Sequence, residues 1–341
     1  MASIVFLILA IVLSFRTSGA TSRGGLFEAS AAVEKHEQWM ARFHRAYSDV
    51  SEKTNRFEIF KKNLEFVEKF NMNANRTYKL DVNEFSDLTD EEFRARYMGL
   101  VVPKEMTEMS STETVSFRYE NVSESETGES MDWRQEGAVT TVKNQGKCGC
   151  CWAFSAVAAV EGITKITKGE LVSLSEQQLL DCTSDNHGCD GGTLSKAFQY
   201  IINNQGITTE DNYPYQAEQQ ICASTTGSVA ATISGFARVP RNDEEALLKT
   251  VSQQPVSVAI DASYAFKQYS GGVFDGECGT QLNHAVTIIG YGTSEEGTKY
   301  WLAKNSWGES WGENGYMRIK RDVTDPQGMC GLAILALYPL A

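Results

Sequence analysis

The chain has 341 residues, of which 42% are apolar and 22% are charged, a composition that excludes a fibrous repeat and a largely disordered protein. This length fits two units of roughly 100–200 residues, or one larger domain with appendages. The formal net charge of −13 repels nucleic acid and anionic membranes, so we expect neither as a partner.

The amino terminus has the features of a secretory signal peptide. An apolar run extends from Ile4 to Leu13 and is followed by Ser18-Gly19-Ala20, whose small residues suit signal peptidase. The run is too short to cross a bilayer comfortably, and no other stretch looks transmembrane. We therefore predict a signal peptide over residues 1–20. Eight cysteines in a secreted chain indicate disulfides, but eight thiols allow 105 full pairings.

Next in the chain, a helical pattern precedes a polar linker. Between Glu34 and about Asn75, apolar residues recur at helix-like spacings among charged ones, which predicts a helical hairpin. These apolar residues are Trp39, Phe43, Tyr47, Phe57, Phe60, Leu64 and Val67. From Lys104 to Ser130 the composition shifts to Ser, Thr and Glu, which predicts an exposed linker of the kind that proteases cut.

After Met131 a helical half is followed by a β half. Ala153–Lys168 predicts a buried helix with Gly169 as its stop, and a second short helix is expected from Ser175 with Ser173 or Ser175 as its cap. Four apolar runs separated by Gly-rich turns then predict strands. They are Val256–Ile260, Ala285–Ile289, Tyr300–Ala303 and Tyr316–Ile319.

Cys151 lies at the predicted start of the first buried helix, within Gln145-Gly-Lys-Cys-Gly-Cys-Cys-Trp-Ala-Phe-Ser155. The positive end of a helix dipole and its unpaired N–H groups favour a thiolate over a thiol, which makes a cysteine there a candidate nucleophile. A cysteine taken alone is more often a half-cystine or a small buried apolar residue.

A thiolate needs a proton partner, and the chain has four histidines. His36 and His44 precede the linker, and His187 lies in a polar loop where solvation is the commoner role. His284 directly precedes an apolar strand, although a single histidine there is more often structural. Asn305 follows the third predicted strand and could hold one imidazole nitrogen so that the other faces the sulfur. Taken alone, Asn305 would be a turn residue.

Together these segments resemble the papain family of cysteine proteases. Its four catalytic blocks are matched in order by Gln145, Cys151-Trp152, Asn283-His284-Ala285 and Asn305-Ser306-Trp307. The resemblance implies an α+β papain-like fold over residues 127–341, with a helical lobe at about 127–235 and a β-barrel-like lobe at about 236–341. It also implies a cysteine endopeptidase that uses no cofactor and no metal.

The resemblance also implies roles for the matched residues. Cys151 would be the nucleophile, His284 its acid and base, and Asn305 the residue that orients the ring. Gln145 and the backbone N–H of Cys151 would bind the oxyanion, and Trp307 would shield the bond between Asn305 and His284.

Cys150 departs from the family pattern, which has serine or another small residue before the nucleophile. It is either a tolerated small residue or a partner of Cys151 in a reversible vicinal disulfide. If Cys151 is free, seven cysteines cannot all pair within the chain, and Cys150 is the obvious second free thiol. The resemblance implies the bridges Cys148–Cys189, Cys182–Cys222 and Cys278–Cys330.

Residues 21–126 resemble the family's inhibitory propeptide with its linker. One helical face matches the family's propeptide helix, through Glu52, Arg56, Phe60, Asn63, Val67 and Asn71. Asn83-Glu-Phe-Ser-Asp87 matches the motif that follows, although Asp81 stands where that motif usually has glycine. Cleavage is expected near Ser123–Gly128 once acid loosens the propeptide's ion pairs. Sequons at Asn75 and Asn121 predict glycosylation, mainly of the precursor.

The resemblance assigns a substrate cleft as well. Gly191 and Gly192 would let a substrate backbone approach closely, and Asn283 and Trp307 belong to the same cleft. The main side-chain pocket would be lined by Leu194, Ala259, Leu282, Ala285 and Leu335. All five are apolar, so we expect an apolar residue two positions before the cut. There is no paired-histidine insertion of the kind found in carboxydipeptidases.

Two other functional classes are alternatives to a cysteine endopeptidase. A non-catalytic papain-like protein that binds peptides or inhibitors would use the same cleft without turnover. A metal module on Cys148, Cys150 and Cys151 lacks a second ligand pair. The expected partners are protein and peptide substrates, the chain's own propeptide and cystatin-like inhibitors, and the protein is expected to be a monomer. Its expected destination is a vacuole or lysosome-like compartment or the extracellular space.

Overall fold

A computed structural model describes residues 30–103, 117–223 and 229–341. The predicted signal peptide lies outside the described residues. The chain divides into two compact units. The first comprises the described residues up to Glu68 together with Ser86–Leu88, and the second comprises Lys69–Phe85 and the described part of Thr89–Ala341. No helix among the described residues is long and apolar enough to cross a membrane.

The first unit contains the predicted helical hairpin. Helix α1 covers 30–42 and helix α2 covers Val50–Asn71, most of which belongs to this unit. The α2 helix begins after Asp49, whose carboxylate accepts from the N–H of Glu52 at 2.9 Å. Within its predicted face, Phe60, Asn63 and Val67 are buried. Asn63 Nδ2 donates to the carbonyls of Ser86 at 2.7 Å and Leu88 at 3.2 Å. This face of α2 therefore binds the end of the motif Asn83-Glu-Phe-Ser-Asp87 and the residue that follows it.

His36 is buried in the aromatic core of the same unit, with only 2% of its surface exposed. Its ring centroid lies 5.0 Å from that of Phe60 and 5.7 Å from that of Trp39. Burial lowers the pKa of His36, although the nearby carboxylates of Glu37 and Asp87 oppose this and Lys53 adds to it. The histidine is therefore neutral in the folded unit near neutral pH.

The second unit begins with the remainder of the predicted propeptide. Strand β1 (Tyr78–Leu80) pairs antiparallel with β5 (Tyr269–Phe274). Helix α3 (Asp90–Tyr97) begins with a capping box in which Thr89 and Glu92 exchange side-chain to backbone bonds. Asp81 is accommodated because it does not adopt a positive φ, and its N–H donates to the Gln268 carbonyl at 2.9 Å.

The linker after α3 is mostly exposed where it is described, as expected, but it contains ordered contacts. Helix α4 spans Glu124–Thr127, and Thr127 is buried. Tyr119 donates to Gln254 Oε1 at 2.7 Å, and its ring lies 5.5 Å from that of Tyr338. The composition alone did not predict these anchors, which depend on partners far away in the chain.

The helices of the peptidase region follow the predicted pattern. They are α5 (Cys151–Lys168), α6 (Glu176–Cys182) and α7 (Leu194–Asn203). The α5 helix ends at Gly169, which has a φ of 82° and takes the left-handed cap conformation. Ser175 caps α6 by accepting from the N–H of Gln178. Almost the whole first half of α5 is buried, which explains its apolar sequence.

The β half forms one sheet, with two short helices between its strands in the chain. The remaining strands are β2 (Met131–Asp132), β3 (Gly235–Arg238), β4 (Val256–Ile260), β6 (His284–Thr293), β7 (Lys299–Lys304), β8 (Tyr316–Lys320) and β9 (Ala336–Leu340). The order is β1-β5-β8-β7-β6-β4-β9-β3, with β2 paired to β6. Helices α8 (Glu244–Val251) and α9 (Tyr264–Lys267) flank β4 in the chain. One hydrophobic core joins α5, α6 and α7 to residues of β4, β6 and β9. The predicted α+β arrangement of a helical half followed by a β half is thereby confirmed.

Candidate active site

The first turn of α5 places Cys151 beside the start of β6. Backbone N–H groups of Gly99 and Ala285 act on the sulfur and lower the pKa of the thiol, and Ala285 directly follows His284, the first residue of β6. One turn further along the helix, Ser155 Oγ donates to the Val286 carbonyl at 2.8 Å. The helix and the strand are thus bonded together one turn after the predicted nucleophile and two residues after the predicted base.

Asn305 and Trp307 hold the imidazole ring of His284. His284 Nε2 lies 2.8 Å from Asn305 Oδ1, and because an amide oxygen only accepts, Nε2 carries the hydrogen in this bond. The ring of Trp307 stacks on the imidazole at 4.5 Å between centroids and is fully buried. Nδ1 has no hydrogen-bond partner among the described residues. It is therefore the nitrogen available to exchange a proton with a thiol.

Gln145 is attached to the segment that carries Asn305. Its N–H donates to the Ser306 carbonyl at 2.8 Å, and its Oε1 accepts from Ser306 Oγ at 2.7 Å. These bonds turn Nε2 toward the backbone, where it donates to the carbonyls of Cys148 at 2.7 Å and Tyr97 at 3.1 Å. The side-chain donor of Gln145 is thus held in a fixed orientation in the loop that precedes the nucleophile.

Burial acts on both partners of the predicted pair. Neither Cys151 nor His284 is exposed to solvent. Burial raises the pKa of the Cys151 thiol despite its backbone N–H bonds, and it lowers the pKa of His284 to about 4 despite the bond to Asn305. Both shifts favour a neutral thiol and a neutral imidazole over a charged pair in the structure described here.

Residues Gly99–Val101 of the predicted propeptide cover this pair. Leu100 forms a parallel bridge with Gly192. Gly192 donates to the Gly99 carbonyl at 2.8 Å, and Val101 donates to the Gly192 carbonyl at 2.8 Å. Leu100 donates to the Asn283 carbonyl at 3.2 Å. The segment therefore makes backbone bonds with the predicted substrate-binding residues Gly192 and Asn283.

The five predicted pocket residues come together in the structure. Leu194, Ala259, Ala285 and Leu335 are buried in one hydrophobic cluster, and Leu282 packs against it. Leu100 of the propeptide belongs to the same cluster. Gly191 follows a tight turn with a φ of 125°, and a Cβ there would lie 2.7 Å from the Gly99 carbonyl oxygen, so the close approach of another backbone requires glycine.

The cysteines pair as the resemblance implied. Disulfides join Cys148 to Cys189, Cys182 to Cys222, and Cys278 to Cys330. Cys150 and Cys151 are both free and buried, so the structure contains no vicinal disulfide. The groups of His, Cys, Asp and Glu among the described residues form no cluster that could hold a metal ion. The sequon residues Asn75 and Asn121 are both exposed, and their glycosylation stays a prediction.

A buried ionic cluster that the sequence patterns did not predict lies next to the site. Lys143 binds Glu161 at 3.1 Å and Glu176 at 2.8 Å. Burial raises the pKa of the Glu176 carboxyl, an effect that Lys143 opposes, and burial lowers the pKa of Lys304, the residue before Asn305. The carboxylate of Glu161, in the otherwise apolar stretch of α5 from Cys151 to Ile163, was the available signal.

The propeptide residues next to the site were not predicted from the sequence either. Tyr97 and Gly99 bind Gln145 and Cys151 through backbone groups alone. Side-chain patterns do not reveal backbone contacts, although a glycine inside the apolar run Met98-Gly99-Leu100-Val101-Val102 was a sign of close approach.

Comparison with known proteins identifies two family segments. Residues 127–340 match the papain family cysteine protease, and residues 36–93 match the cathepsin propeptide inhibitor domain. The senescence-specific cysteine protease SAG12 of Arabidopsis thaliana is 52% identical over 338 residues, which covers 98% of this chain and 97% of that protein.

Solved structures of similar proteins also match this chain. A recombinant stem bromelain precursor superposes with a TM-score of 0.83 at 47% identity, over 91% of this chain and 99% of that one. The bromelain protease from Ananas comosus, solved in complex with an inhibitor, matches with a TM-score of 0.61 at 54% identity, over 62% of this chain and 98% of that one. The second match covers much less of this chain than the precursor does.

Proposed function

Because the chain belongs to the papain family of cysteine proteases and carries that family's inhibitory propeptide, we propose that Cys151 is its nucleophile and His284 is the acid and base. The observation that carries this assignment is the junction of α5 and β6. There Ser155 of α5 donates to the Val286 carbonyl of β6 and the Ala285 N–H lowers the pKa of the Cys151 thiol, while Asn305 holds Nε2 of His284 and leaves Nδ1 free.

The reaction follows from these positions. The Cys151 thiol transfers its proton to His284 Nδ1, and the thiolate attacks the scissile carbonyl carbon to form a tetrahedral oxyanion. His284 then protonates the departing amine, which leaves an acyl-enzyme. A water molecule gives a proton to His284, attacks the thioester carbonyl and releases the acid product together with the thiolate. Asn305 keeps the ring oriented in both halves of the cycle.

Gln145 Nε2 and the N–H of Cys151 stabilise the oxyanion in this scheme. A fixed donor needs no reorganisation when charge develops on the carbonyl oxygen, and the two bonds from Ser306 fix the Gln145 side chain. Losing such a donor costs on the order of 3 kcal/mol of barrier. In the precursor this donor is bonded to the Tyr97 carbonyl, so the propeptide occupies the oxyanion position.

The propeptide inhibits the enzyme by covering the pair and by holding it neutral. Gly99 presents an N–H to the sulfur rather than a carbonyl carbon, so this segment is not placed for attack. Its removal hydrates both groups, and hydration favours the charged thiolate and imidazolium. We assign residues 21–126 to the removable propeptide and linker, and 127–341 to the active peptidase.

The pocket around Leu335 selects the residue two positions before the cut. Its lining is apolar, and the propeptide inserts Leu100 into the same cluster. Burying a leucine side chain contributes about 1.5–3 kcal/mol, whereas a buried guanidinium would have no acidic partner among these pocket residues. Leucine is therefore favoured over arginine in this pocket.

The remaining assignments rest on the sequence features. The apolar amino-terminal run, the sequons and the disulfides support synthesis in the secretory pathway, with a vacuole or lysosome-like compartment or the extracellular space as the destination. The enzyme acts as a monomer on protein and peptide substrates, and cystatin-like inhibitors fit the cleft that the propeptide now occupies.

The test uses the acid-matured protein and two matched fluorogenic dipeptides that differ only in leucine or arginine two positions before the cut. The leucine substrate is cleaved faster, and Cys151→Ala abolishes cleavage. A peptidyl epoxide labels one equivalent of protein at Cys151. Cys150→Ser is the matched thiol control and retains the labelling at Cys151. Binding of peptides without turnover or labelling would support a non-catalytic protein, and a preference for arginine would overturn the pocket assignment.

A further inference from the structure

We propose that Tyr215 and Cys150 are positioning residues for the oxyanion site, because the Tyr215 hydroxyl joins the thiol of Cys150 to the backbone carbonyl of Gln145. Tyr215 Oη donates to that carbonyl at 2.7 Å and lies 2.9 Å from Cys150 Sγ. The proposal extends the proposed function, since it concerns the residue assigned above as the oxyanion donor.

The direction of the two bonds follows from the available hydrogens. A phenol has one hydrogen, and Tyr215 uses it on the Gln145 carbonyl. The thiol hydrogen of Cys150 therefore points to the Tyr215 oxygen. Burial raises the pKa of Cys150, which keeps this donor protonated. The residue that departs from the family pattern is thus an inert hydrogen-bond donor, although its chain neighbour is the nucleophile.

Tyr215 itself is held firmly. The ring of Phe154, on the first turn of α5, packs edge to face against it at 4.9 Å between centroids. The Tyr215 N–H donates to Glu210 Oε1 at 2.8 Å. The hydroxyl therefore has a fixed position relative to the helix that begins at the nucleophile.

The Gln145 carbonyl matters because it sets the plane of the peptide that joins Gln145 to Gly146. Gly146 has a φ of 57°, and a Cβ there would lie 3.2 Å from Cβ of Ala217, two residues after Tyr215. Ser306 fixes the N–H and Oε1 of Gln145, whereas Tyr215 fixes its carbonyl. Without the hydroxyl, this peptide can rotate and carry the Nε2 donor away from the oxyanion.

The test compares two reagents for the same sulfur in mature enzyme. A peptide aldehyde forms a tetrahedral adduct whose oxyanion needs Gln145, whereas iodoacetamide alkylates the thiolate without forming an oxyanion. Tyr215→Phe is expected to lower kcat and aldehyde affinity by roughly tenfold, less than the 10²–10³ that follows outright loss of a donor. KM and the rate of alkylation at each pH stay within about twofold of their wild-type values.

Variants of Cys150 give a second measurement, which does not depend on whether the Tyr215→Phe protein folds. Cys150→Ala removes the donor and lowers aldehyde affinity in the same direction. Cys150→Ser restores a donor and brings the affinity closer to wild type than Cys150→Ala does. Tyr213→Phe is the matched control, because the Tyr213 hydroxyl donates to Asp181 at 2.8 Å and does not contact Gln145.

The positioning role would be overturned if Tyr215→Phe lowered aldehyde affinity and alkylation rate equally, or if it did not lower aldehyde affinity. It would also be overturned if Tyr213→Phe lowered aldehyde affinity as much as Tyr215→Phe does. Failure of the proposed function looks different. In that case wild-type Cys151 would not be alkylated faster than an ordinary thiol, and Cys151→Ala would not affect cleavage, whatever residue stands at position 215.

Discussion

A single methyl group at Gly99 is expected to displace the propeptide from the cleft. A Cβ on Gly99 would lie 1.8 Å from the Gly149 carbonyl oxygen, and because real Cβ contacts begin near 3.0 Å, the two backbones must separate by about 1 Å. That separation breaks two or three of the backbone bonds that join Gly99–Val101 to Gly192 and Asn283. At about 1 kcal/mol each, the loss is about 2–3 kcal/mol, or roughly 30- to 150-fold in the fraction of open precursor.

The assay is the rate at which a peptidyl epoxide labels Cys151 in the intact precursor at pH 7, followed by mass. Gly99→Ala should increase this rate by the calculated factor. Ala95→Ser is the control, since it also adds one heavy atom but at an exposed position of α3. Equal labelling rates in Gly99→Ala and wild type would refute the idea that this contact closes the site.

Three further predictions concern the imidazole, the pocket and the propeptide core. Asn305→Ala removes a bond that raises the pKa of His284, so the alkaline limb of kcat/KM in the mature enzyme should move to lower pH. Leu335→Ala enlarges the apolar pocket and should shift preference from leucine toward phenylalanine in paired substrates. His36 has a lowered pKa in the folded propeptide, so its unit should lose stability as pH falls through the unfolded value near 6.5. In a Cys151→Ala precursor, His36→Phe should therefore weaken the acid-induced rise in hydrogen exchange over residues 30–68, and an unchanged rise would contradict this.

The secondary structure of the peptidase region was predictable because its signals are local. The apolar run of α5 and its stop at Gly169, the Ser175 cap, and the apolar strands each depend on residues close together in the chain. The catalytic blocks could be matched for a different reason. Their residue types are restricted by chemistry, so the resemblance assigned roles to Cys151 and His284, and these roles stay predictions.

Long-range backbone contacts account for what the sequence did not reveal. The bonds of Ser306 to Gln145 and of Tyr215 to the same residue span 161 and 70 positions, and no periodicity encodes them. Tyr215 occurs in an ordinary turn-like segment with Pro214, where an exposed aromatic would be equally acceptable. Its function becomes visible only when its hydroxyl is found between a carbonyl and a thiol.

Steric blockage and electrostatic inactivation have the same structural cause in this precursor. A thiolate and an imidazolium are both disfavoured when they are buried, as Cys151 and His284 are, and the segment around Gly99 lies beside Cys151 while it makes its backbone bonds. Displacement of that short segment should therefore restore access and hydration together, even before the linker is cut. Activation then depends on how strongly Gly99–Val101 binds, and the first cleavage can follow opening rather than cause it. On this argument, a precursor that opens more often should mature faster at the same pH, in proportion to its epoxide-labelling rate.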